Sequence, residues 1–186
     1  SQDVECFVLP KVESAAAIQR AAKILESKHS SALLMPLIES ALGLERAFEI
    51  ASAHPRVSAI SLGLEDYCRE LGIVRQNGAA LSWAHGRLIN AARAAGIVPL
   101  SSVCPEFEDK EALFNYAQQS KAIGYVGVGA IHPSQIQTIH QAFMPSPVEL
   151  DWARNVVDVF ESSEGGAVQL NGKMIDLPIY ERAQNI

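Results

Sequence analysis

Cysteine, aromatic residues and clustered positive charge are all scarce in this sequence. Three cysteines, Cys6, Cys68 and Cys104, are spread over 186 residues. Because an odd and sparse set builds no disulfide framework, we expect reduced, buried thiols in a cytoplasmic protein. Lysine and arginine total 15 against 21 aspartates and glutamates, and no basic cluster occurs. The net charge of −6 therefore argues against a nucleic-acid-binding surface.

Long hydrophobic runs are missing as well. No apolar stretch approaches the roughly 18 residues of a membrane span, and no basic-then-apolar leader is present. We therefore expect no membrane association. The hydrophobic fraction is nevertheless 48%, which over 186 residues is enough for one well-buried domain of ordinary size.

Short apolar runs alternate with longer helical patterns over residues 1–144. The runs that are predicted as strands cover 6–12, 32–38, 57–62, 97–103 and 125–131. The helical patterns between them cover 13–26, 43–53, 79–95 and 107–123. Strands that are apolar along most of their length and alternate with helices indicate a parallel sheet covered by helices, so the fold class is α/β.

The pattern changes after residue 144. A helix is predicted over 148–162, and Asn171-Gly172 is a hairpin signal within the short segment 168–176. A final helix is predicted to begin at Pro178. We predict that 145–186 forms an arm, which folds over its own sheet or over a neighbouring subunit.

Acidic residues follow two neighbouring strands of the predicted sheet. Glu39 comes directly after the second strand, and Glu65 and Asp66 come shortly after the third. Since the carboxyl ends of adjacent parallel strands share one edge, these carboxylates are expected to lie close together. Mg²⁺ typically takes one or two carboxylates and fills its other positions with water and substrate oxygens. The pattern predicts a metal-assisted enzyme with Glu39 and either Glu65 or Asp66 as ligands.

Several alternatives remain open at this point. Glu39 could instead cap the following helix or pair with an arginine, and Lys11 could form a Schiff base or serve as a plain positive charge. His132 is expected to be a hydrogen-bonded structural residue. A closed (β/α) barrel needs eight strands and about 250 residues, whereas an open doubly wound sheet is complete with about five strands. The glycine-rich turn of the second fold is missing, because Leu9-Pro10-Lys11 stands in its place.

Five motifs occur in order along the chain. They are Val8-Leu9-Pro10-Lys11-Val12-Glu13-Ser14, Pro36-Leu37-Ile38-Glu39-Ser40, Leu62-Gly63-Leu64-Glu65-Asp66-Tyr67, Gly124-Tyr125 with Gly127 through Ala130-Ile131-His132-Pro133-Ser134-Gln135-Ile136, and Gly172-Lys173-Met174-Ile175-Asp176-Leu177-Pro178. In order and spacing they resemble the HpcH/HpaI aldolase and citrate lyase superfamily, nearest to its citrate lyase β-subunit-like branch.

The resemblance implies a TIM-type (β/α)₈ barrel, of which this chain would supply the last five strand–helix units and a C-terminal helical arm. Members cleave 3-hydroxy-acyl thioesters of CoA or an acyl-carrier protein, such as citryl, malyl or citramalyl thioesters, into a 2-keto acid and an acetyl thioester. By motif, Glu39 and Asp66 would bind Mg²⁺. Asp176 would be the catalytic carboxyl group that the arm delivers to a neighbouring subunit in a homotrimer or hexamer.

Two departures from the family pattern bear on function. Members normally begin with an Arg-Ser-x-Leu-Phe-Val-Pro-Gly strand, an acidic strand and a strand with a catalytic arginine, whereas this chain opens at what would be the fourth strand. We therefore expect impaired activity. Val128 stands where relatives commonly have lysine, which is expected to weaken anchoring of the thioester carrier. Two other functions stay open: a non-catalytic binding or scaffold protein, and an aldolase that acts on free 2-keto acids.

Overall fold

The computed structural model describes residues 4–75, 78–106, 108–163 and 166–186. The chain divides into two compact units, Ser1–Phe143 and Met144–Ile186. This division falls one residue before the predicted boundary between 144 and 145. Within the described ranges, none of the helices has the length and apolar character of a membrane span.

A parallel sheet of four strands forms the centre of the first unit. Its strands are β1 (Cys6–Leu9), β2 (Leu33–Ile38), β3 (Ala59–Leu62) and β4 (Val98–Leu100). They lie in the order β1-β2-β3-β4, and each is parallel to the next. A doubly wound sheet reverses its strand order at a switch point, whereas a barrel keeps the order of the chain. The topology is therefore that of a barrel sector, as the family resemblance implies.

The fifth predicted strand, 125–131, lies beside β4 but has little regular strand geometry. The Ser101 N–H donates to the Gly127 carbonyl at 2.8 Å, and the Ser101 carbonyl accepts from the Gly129 N–H at 3.2 Å. A single parallel bridge joins Ser101 to Val128. The fifth unit is thus in its predicted place, next to β4.

Helices connect these strands. In the first unit they are α1 (Ala15–Ser27), α2 (Ala41–Glu45), α3 (Ala47–Ala51), α4 (Leu64–Leu71), α5 (Gly78–Ala94), α6 (Lys110–Ile123) and α7 (Ile136–Phe143). Most agree with the predicted ranges within a few residues. The predicted start of α6 at Phe107 lies outside the described residues. Helix α4 was not predicted.

The core lies between the sheet and the helices. Ile18 of α1, Ile60 of β3 and Leu88 of α5 are completely buried. Along β2, every second side chain is buried, as Leu34 and Ile38 are. A strand that alternates in this way packs one face against helices and turns its other face away from them.

The other face of the sheet carries exposed apolar side chains. Val8 of β1 is 52% exposed, and Leu33 of β2 and Val98 of β4 are each 41% exposed. Cys6 lies on the same face, since its register partner is Leu33. The prediction of three buried thiols is therefore right for Cys68 and Cys104 and wrong for Cys6. Burial raises the pKa of the Cys68 and Cys104 thiols, so neither resembles an activated nucleophile.

The second unit consists of two helices and a hairpin. Its elements are α8 (Pro147–Glu161), β5 (Val168–Leu170), β6 (Lys173–Ile175) and α9 (Leu177–Gln184). Asn171 and Gly172 have φ angles of 49° and 78°, as a tight turn between antiparallel strands requires. The predicted hairpin is confirmed. Phe160 of α8 stacks on Tyr180 of α9, with ring centroids 4.5 Å apart.

His85 of α5 contacts the fifth strand segment. Its Nδ1 lies 2.9 Å from the Tyr125 hydroxyl oxygen, and the two rings meet edge to face with centroids 5.6 Å apart. Burial, with a smaller effect from the positive charge of Arg75, lowers the pKa of His85. The folded protein therefore favours the neutral imidazole.

This shift predicts a pH-dependent stability. Below the usual His pKa of about 6.5, the unfolded chain takes up a proton more readily than the folded chain does. The contribution of His85 to the free energy of unfolding is therefore complete above about pH 6.5 and is lost as the pH falls through the lowered folded-state pKa. Urea unfolding at about pH 7.5 and about pH 5.5 should show a smaller stability difference in His85→Gln than in wild type. Equal differences in the two proteins would contradict this.

Candidate functional site

Glu39 stands at the carboxyl end of β2 and connects two neighbouring strand ends. Its Oε2 accepts a hydrogen bond from the Lys11 backbone N–H at 2.8 Å. The helix that follows is capped by Ser40, whose side chain accepts from the Gly43 N–H at 3.1 Å. The alternative in which Glu39 caps this helix is therefore excluded. Glu39 instead fixes the loop after β1 to the end of β2.

The backbone of Lys11 is unusual at this point. Its φ of 52° is in the left-handed region, which residues other than glycine seldom adopt. Such a conformation costs about 1–2 kcal/mol, and the hydrogen bond from the Lys11 N–H to Glu39 helps to offset it. The strained residue thus lies directly beside the candidate ligand, as strained residues at functional sites often do.

Asp66 lies in the first turn of α4, a helix that begins shortly after β3. Leu64, Tyr67 and Cys68 of this helix are buried, and their spacing of three and four residues is a helical signal, although the helix was not predicted from the sequence. The Oδ1 of Asp66 lies 2.5 Å from Nη2 of Arg69, whose side chain is 75% exposed. A pair this exposed contributes little stability, so a cation could replace Arg69 at small cost.

Glu39 and Asp66 line the same small cavity. It has a volume of about 200 Å³, and its other lining residues are Lys11, Glu13, Ser40, Arg69 and Glu70. Glu65 lines a different cavity, where its Oε1 is 2.6 Å from Nη1 of Arg75. Sequence spacing could not choose between Glu65 and Asp66. The structure places Asp66, and not Glu65, beside Glu39.

Gly63 leaves room for the Glu39 carboxylate. A Cβ atom at this position would lie 2.5 Å from Cγ of Glu39 and 2.8 Å from its Oε1. The Gly63 N–H also donates to the Ile38 carbonyl at 2.7 Å, which holds the two strand ends together. The turn from β3 into α4 therefore forms a cradle for Glu39 that a larger residue would fill.

The donor set fits Mg²⁺. Two carboxylates from neighbouring strand ends are the number that this ion usually takes from a protein, with water and substrate oxygens in its other positions. Among the residues that the structure describes, no group of three or more His, Cys, Asp or Glu side chains could hold a metal ion. Glu39 and Asp66 form a pair of the kind described and could together hold Mg²⁺.

Asp176 belongs to the second unit, where it follows β6. It is half-buried and caps α9, its Oδ1 accepting a hydrogen bond from the Ile179 N–H at 3.3 Å. Asp176 therefore has a structural role at the start of α9. Its predicted role as a catalytic group stays a prediction.

Two further residues, His132 and Val128, make contacts that are typical of structural residues. Nδ1 of His132 accepts from the Ser134 N–H at 3.2 Å and so caps a short 3₁₀ turn, as a structural histidine would. Val128 packs beside the apolar cluster of Cys104, Leu113 and Ile139. The effect of Val128 on thioester anchoring stays a prediction.

No pattern in the sequence pointed to Arg75. Its side chain is only 13% exposed, and it contacts Glu65 and the Val103 carbonyl. These partners lie 10 and 28 residues away along the chain, so their proximity depends on the tertiary fold.

Comparison with known proteins reveals clear similarities. The profile of the HpcH/HpaI aldolase/citrate lyase family matches residues 1–133. Citrate lyase subunit beta of Escherichia coli K12 is 39% identical over 142 residues, which cover 74% of this chain and 47% of that protein. The (3S)-malyl-CoA thioesterase of Cereibacter sphaeroides is 32% identical over 176 residues, covering 92% of this chain and 60% of that protein.

A solved structure extends the similarity to three dimensions. The protein CitE from Mycobacterium tuberculosis, in complex with magnesium, acetoacetate and coenzyme A, matches with a TM-score of 0.83 and 32% identity. The match covers 97% of this chain and 66% of that one. The chain thus spans about half to two thirds of the length of the proteins it matches.

Proposed function

Because the chain belongs to the HpcH/HpaI aldolase/citrate lyase family, we propose that it carries the metal site of a Mg²⁺-dependent carbon–carbon lyase. The substrate would be a 3-hydroxy-acyl thioester, namely citramalyl-CoA, malyl-CoA or a citryl carrier, and the products a 2-keto acid and an acetyl thioester. The observation that carries this proposal is the cavity that Glu39 and Asp66 share at the carboxyl ends of adjacent parallel strands. In a (β/α) barrel this rim is where active sites are built.

The similar proteins support this substrate class. One is a citrate lyase subunit, one is a thioesterase of malyl-CoA, and one has been crystallised with magnesium and coenzyme A. Their substrates differ, so the identity of the acyl group remains part of the proposal. What the named substrates share is a thioester with a hydroxyl group on the third carbon.

Each residue of the site would have a distinct task. Glu39 and Asp66 would hold Mg²⁺, which when bound supplies the Lewis acidity that favours loss of the substrate hydroxyl proton. The Lys11 N–H fixes the direction of the Glu39 carboxylate. Lys11 lines the same cavity, and its side chain would supply a positive charge for the carboxylate of the substrate, in an ionic role and not as a Schiff base.

Cleavage breaks the bond between the hydroxyl-bearing carbon and the carbon next to the thioester. The hydroxyl gives up its proton to solvent and becomes the keto group, and the electron pair of the broken bond passes to the thioester as an enolate. The enolate carbon then takes up a proton. Asp176 would donate it, delivered by the arm of a neighbouring subunit in a homo-oligomer.

Turnover measurements test the function directly. The purified protein is incubated with citramalyl-CoA, malyl-CoA and free citramalate, each with Mg²⁺ or with EDTA, and the 2-keto acid released is quantified. Release from a thioester that requires Mg²⁺ supports the lyase. Equal release from free citramalate would indicate an aldolase without a carrier. Mg²⁺ binding without turnover would indicate a binding or scaffold protein.

Asp176→Asn tests the proposed proton donor. Asparagine caps a helix about as well as aspartate, so α9 should stay intact. We expect kcat for thioester cleavage to fall by about 10²–10⁴, the usual contribution of a general acid, while Mg²⁺ affinity stays unchanged. Unchanged kcat in this variant would remove Asp176 from the mechanism.

A further inference from the structure

A second cavity adjoins helix α4. It has a volume of about 740 Å³, and it is lined by Glu65 and Arg75 but not by Glu39 or Asp66. The Arg75 side chain is 13% exposed and that of Glu65 is 71% exposed. The proposed chemistry assigns no role to this largely buried side chain.

Arg75 connects two neighbouring strand ends. Its Nη1 donates to Oε1 of Glu65 at 2.6 Å, and its Nη2 donates to the Val103 carbonyl in the loop after β4. The guanidinium also lies over the Tyr116 ring, 5.9 Å from its centroid. A planar guanidinium can make such contacts in several fixed directions at once, which an ammonium cannot do.

The first turn of α4 depends on this connection. Its cap residue, Gly63, has no side chain to accept from the helix N–H groups. The Leu64 N–H donates instead to Oγ of Ser102 at 3.4 Å, close to the upper limit for a hydrogen bond. Glu65 makes a shorter contact with Arg75, which in turn donates to the Val103 carbonyl in the loop after β4.

We propose that Arg75 is a positioning residue for the metal site and acts on Asp66 through Glu65. The two acidic residues are consecutive in α4 and therefore project about 100° apart around the helix axis. Holding the Glu65 carboxylate fixes the rotation of the turn, and this directs the Asp66 carboxylate towards Glu39. The inference rests on the proposed metal site and adds to it a residue outside the metal-binding cavity.

Binding of Mn²⁺ alone to the full chain, followed by electron paramagnetic resonance, tests the inference without any need for turnover. Arg75→Met removes the positive charge and the N–H donors of the guanidinium but keeps most of the side-chain volume. Loss of a residue that orients a metal ligand typically lowers metal affinity by about 10–100-fold. The Kd for Mn²⁺ should therefore rise by about that factor in Arg75→Met. Arg75→Lys keeps the positive charge but lacks the paired N–H donors of the guanidinium. Its Kd for Mn²⁺ should lie between those of Arg75→Met and wild type.

Arg56→Met is the matched control. The Arg56 Nη1 donates to the Ala32 carbonyl at 2.9 Å, next to the amino end of β2 and away from Glu39. Its loss should lower stability while leaving the Kd for Mn²⁺ within about twofold of wild type. If Arg56→Met weakened Mn²⁺ binding as much as Arg75→Met, the effect would be one of general stability and the inference would be overturned.

A second variant keeps the test decisive if Arg75→Met does not fold. Glu65→Gln preserves the shape of the side chain and weakens the pair, and it should raise the Kd for Mn²⁺ several-fold. Wild-type affinity in both Glu65→Gln and Arg75→Lys would overturn the role of Arg75 and leave the metal site standing. A wild-type chain that binds no Mn²⁺ would overturn the metal site, and this inference with it.

Discussion

Glu39→Gln is expected to lower Mg²⁺ affinity by more than about 100-fold and to abolish thioester cleavage, in a protein that remains folded. The glutamine side-chain oxygen can still accept the hydrogen bond from the Lys11 N–H, which is 2.8 Å long in wild type. The substitution therefore removes the negative charge and preserves the geometry. A hard divalent cation depends on that charge, so the loss of affinity should far exceed any loss of stability. Isothermal titration with Mg²⁺ and thermal unfolding measure the two effects separately.

Glu70→Gln is the matched control for this experiment. Glu70 lines the same cavity, and its Oε1 accepts from the Ala41 N–H at 3.3 Å. It differs from Glu39 in not standing at a strand end. We expect Glu70→Gln to change Mg²⁺ affinity by less than about threefold, through the loss of a nearby negative charge alone. If the two variants lost affinity equally, the cavity would attract Mg²⁺ only by its general charge and Glu39 would not be a ligand.

Gly63→Ala is expected to disrupt the site without touching either carboxylate. The backbone at Gly63 has φ −87° and ψ 89°, which alanine can adopt, so any effect must come from the added methyl group. That methyl group would lie 2.5 Å from Cγ of Glu39, and the carboxylate or the turn must move. We expect the free energy of unfolding to fall by about 1–3 kcal/mol, as for other overpacked sites, and Mg²⁺ affinity to fall by at least about tenfold. Urea unfolding and Mg²⁺ titration give the two values.

Gly86→Ala provides the comparison. Gly86 lies in the middle of α5, and a Cβ atom there would meet nothing within 4 Å. Alanine should therefore raise the free energy of unfolding by about 0.5–1 kcal/mol and leave the metal site unchanged. A Gly63→Ala protein that bound Mg²⁺ as wild type does would show that Glu39 is not held against this turn.

The sequence was sufficient to predict the features that depend on local patterns. Apolar runs separated by helical patterns predicted the parallel sheet, and Asn171-Gly172 predicted the hairpin of the second unit. The position of Glu39 after β2 followed from the same alternation. Each of these features depends on residues that are close together in the chain. There, the periodicity of a strand or the backbone preference of a turn predicts the structure directly.

The features that could not be predicted depend mostly on tertiary contacts. Helix α4 has eight residues, which is too short for its periodicity to stand out. The choice between Glu65 and Asp66 depends on which way the first turn of α4 is rotated, and spacing alone does not determine this. Arg75 acquires its environment from partners 10 and 28 residues away. Cys6 is exposed because it lies on the sheet face that the helices do not cover, which its apolar sequence context could not reveal.

The exposed apolar face of the sheet has a thermodynamic consequence. Val8, Leu33 and Val98 keep 41–52% of their surface in water in the folded chain. Apolar surface that is already hydrated before unfolding adds nothing to the heat-capacity change, which is normally about 12–15 cal/mol/K per residue. The chain should therefore unfold with a smaller heat-capacity increment per residue than a closed domain, and its stability should vary less steeply with temperature. Any molecule that covers this face would restore the curvature, so calorimetry would register its binding as a change in the shape of the stability curve.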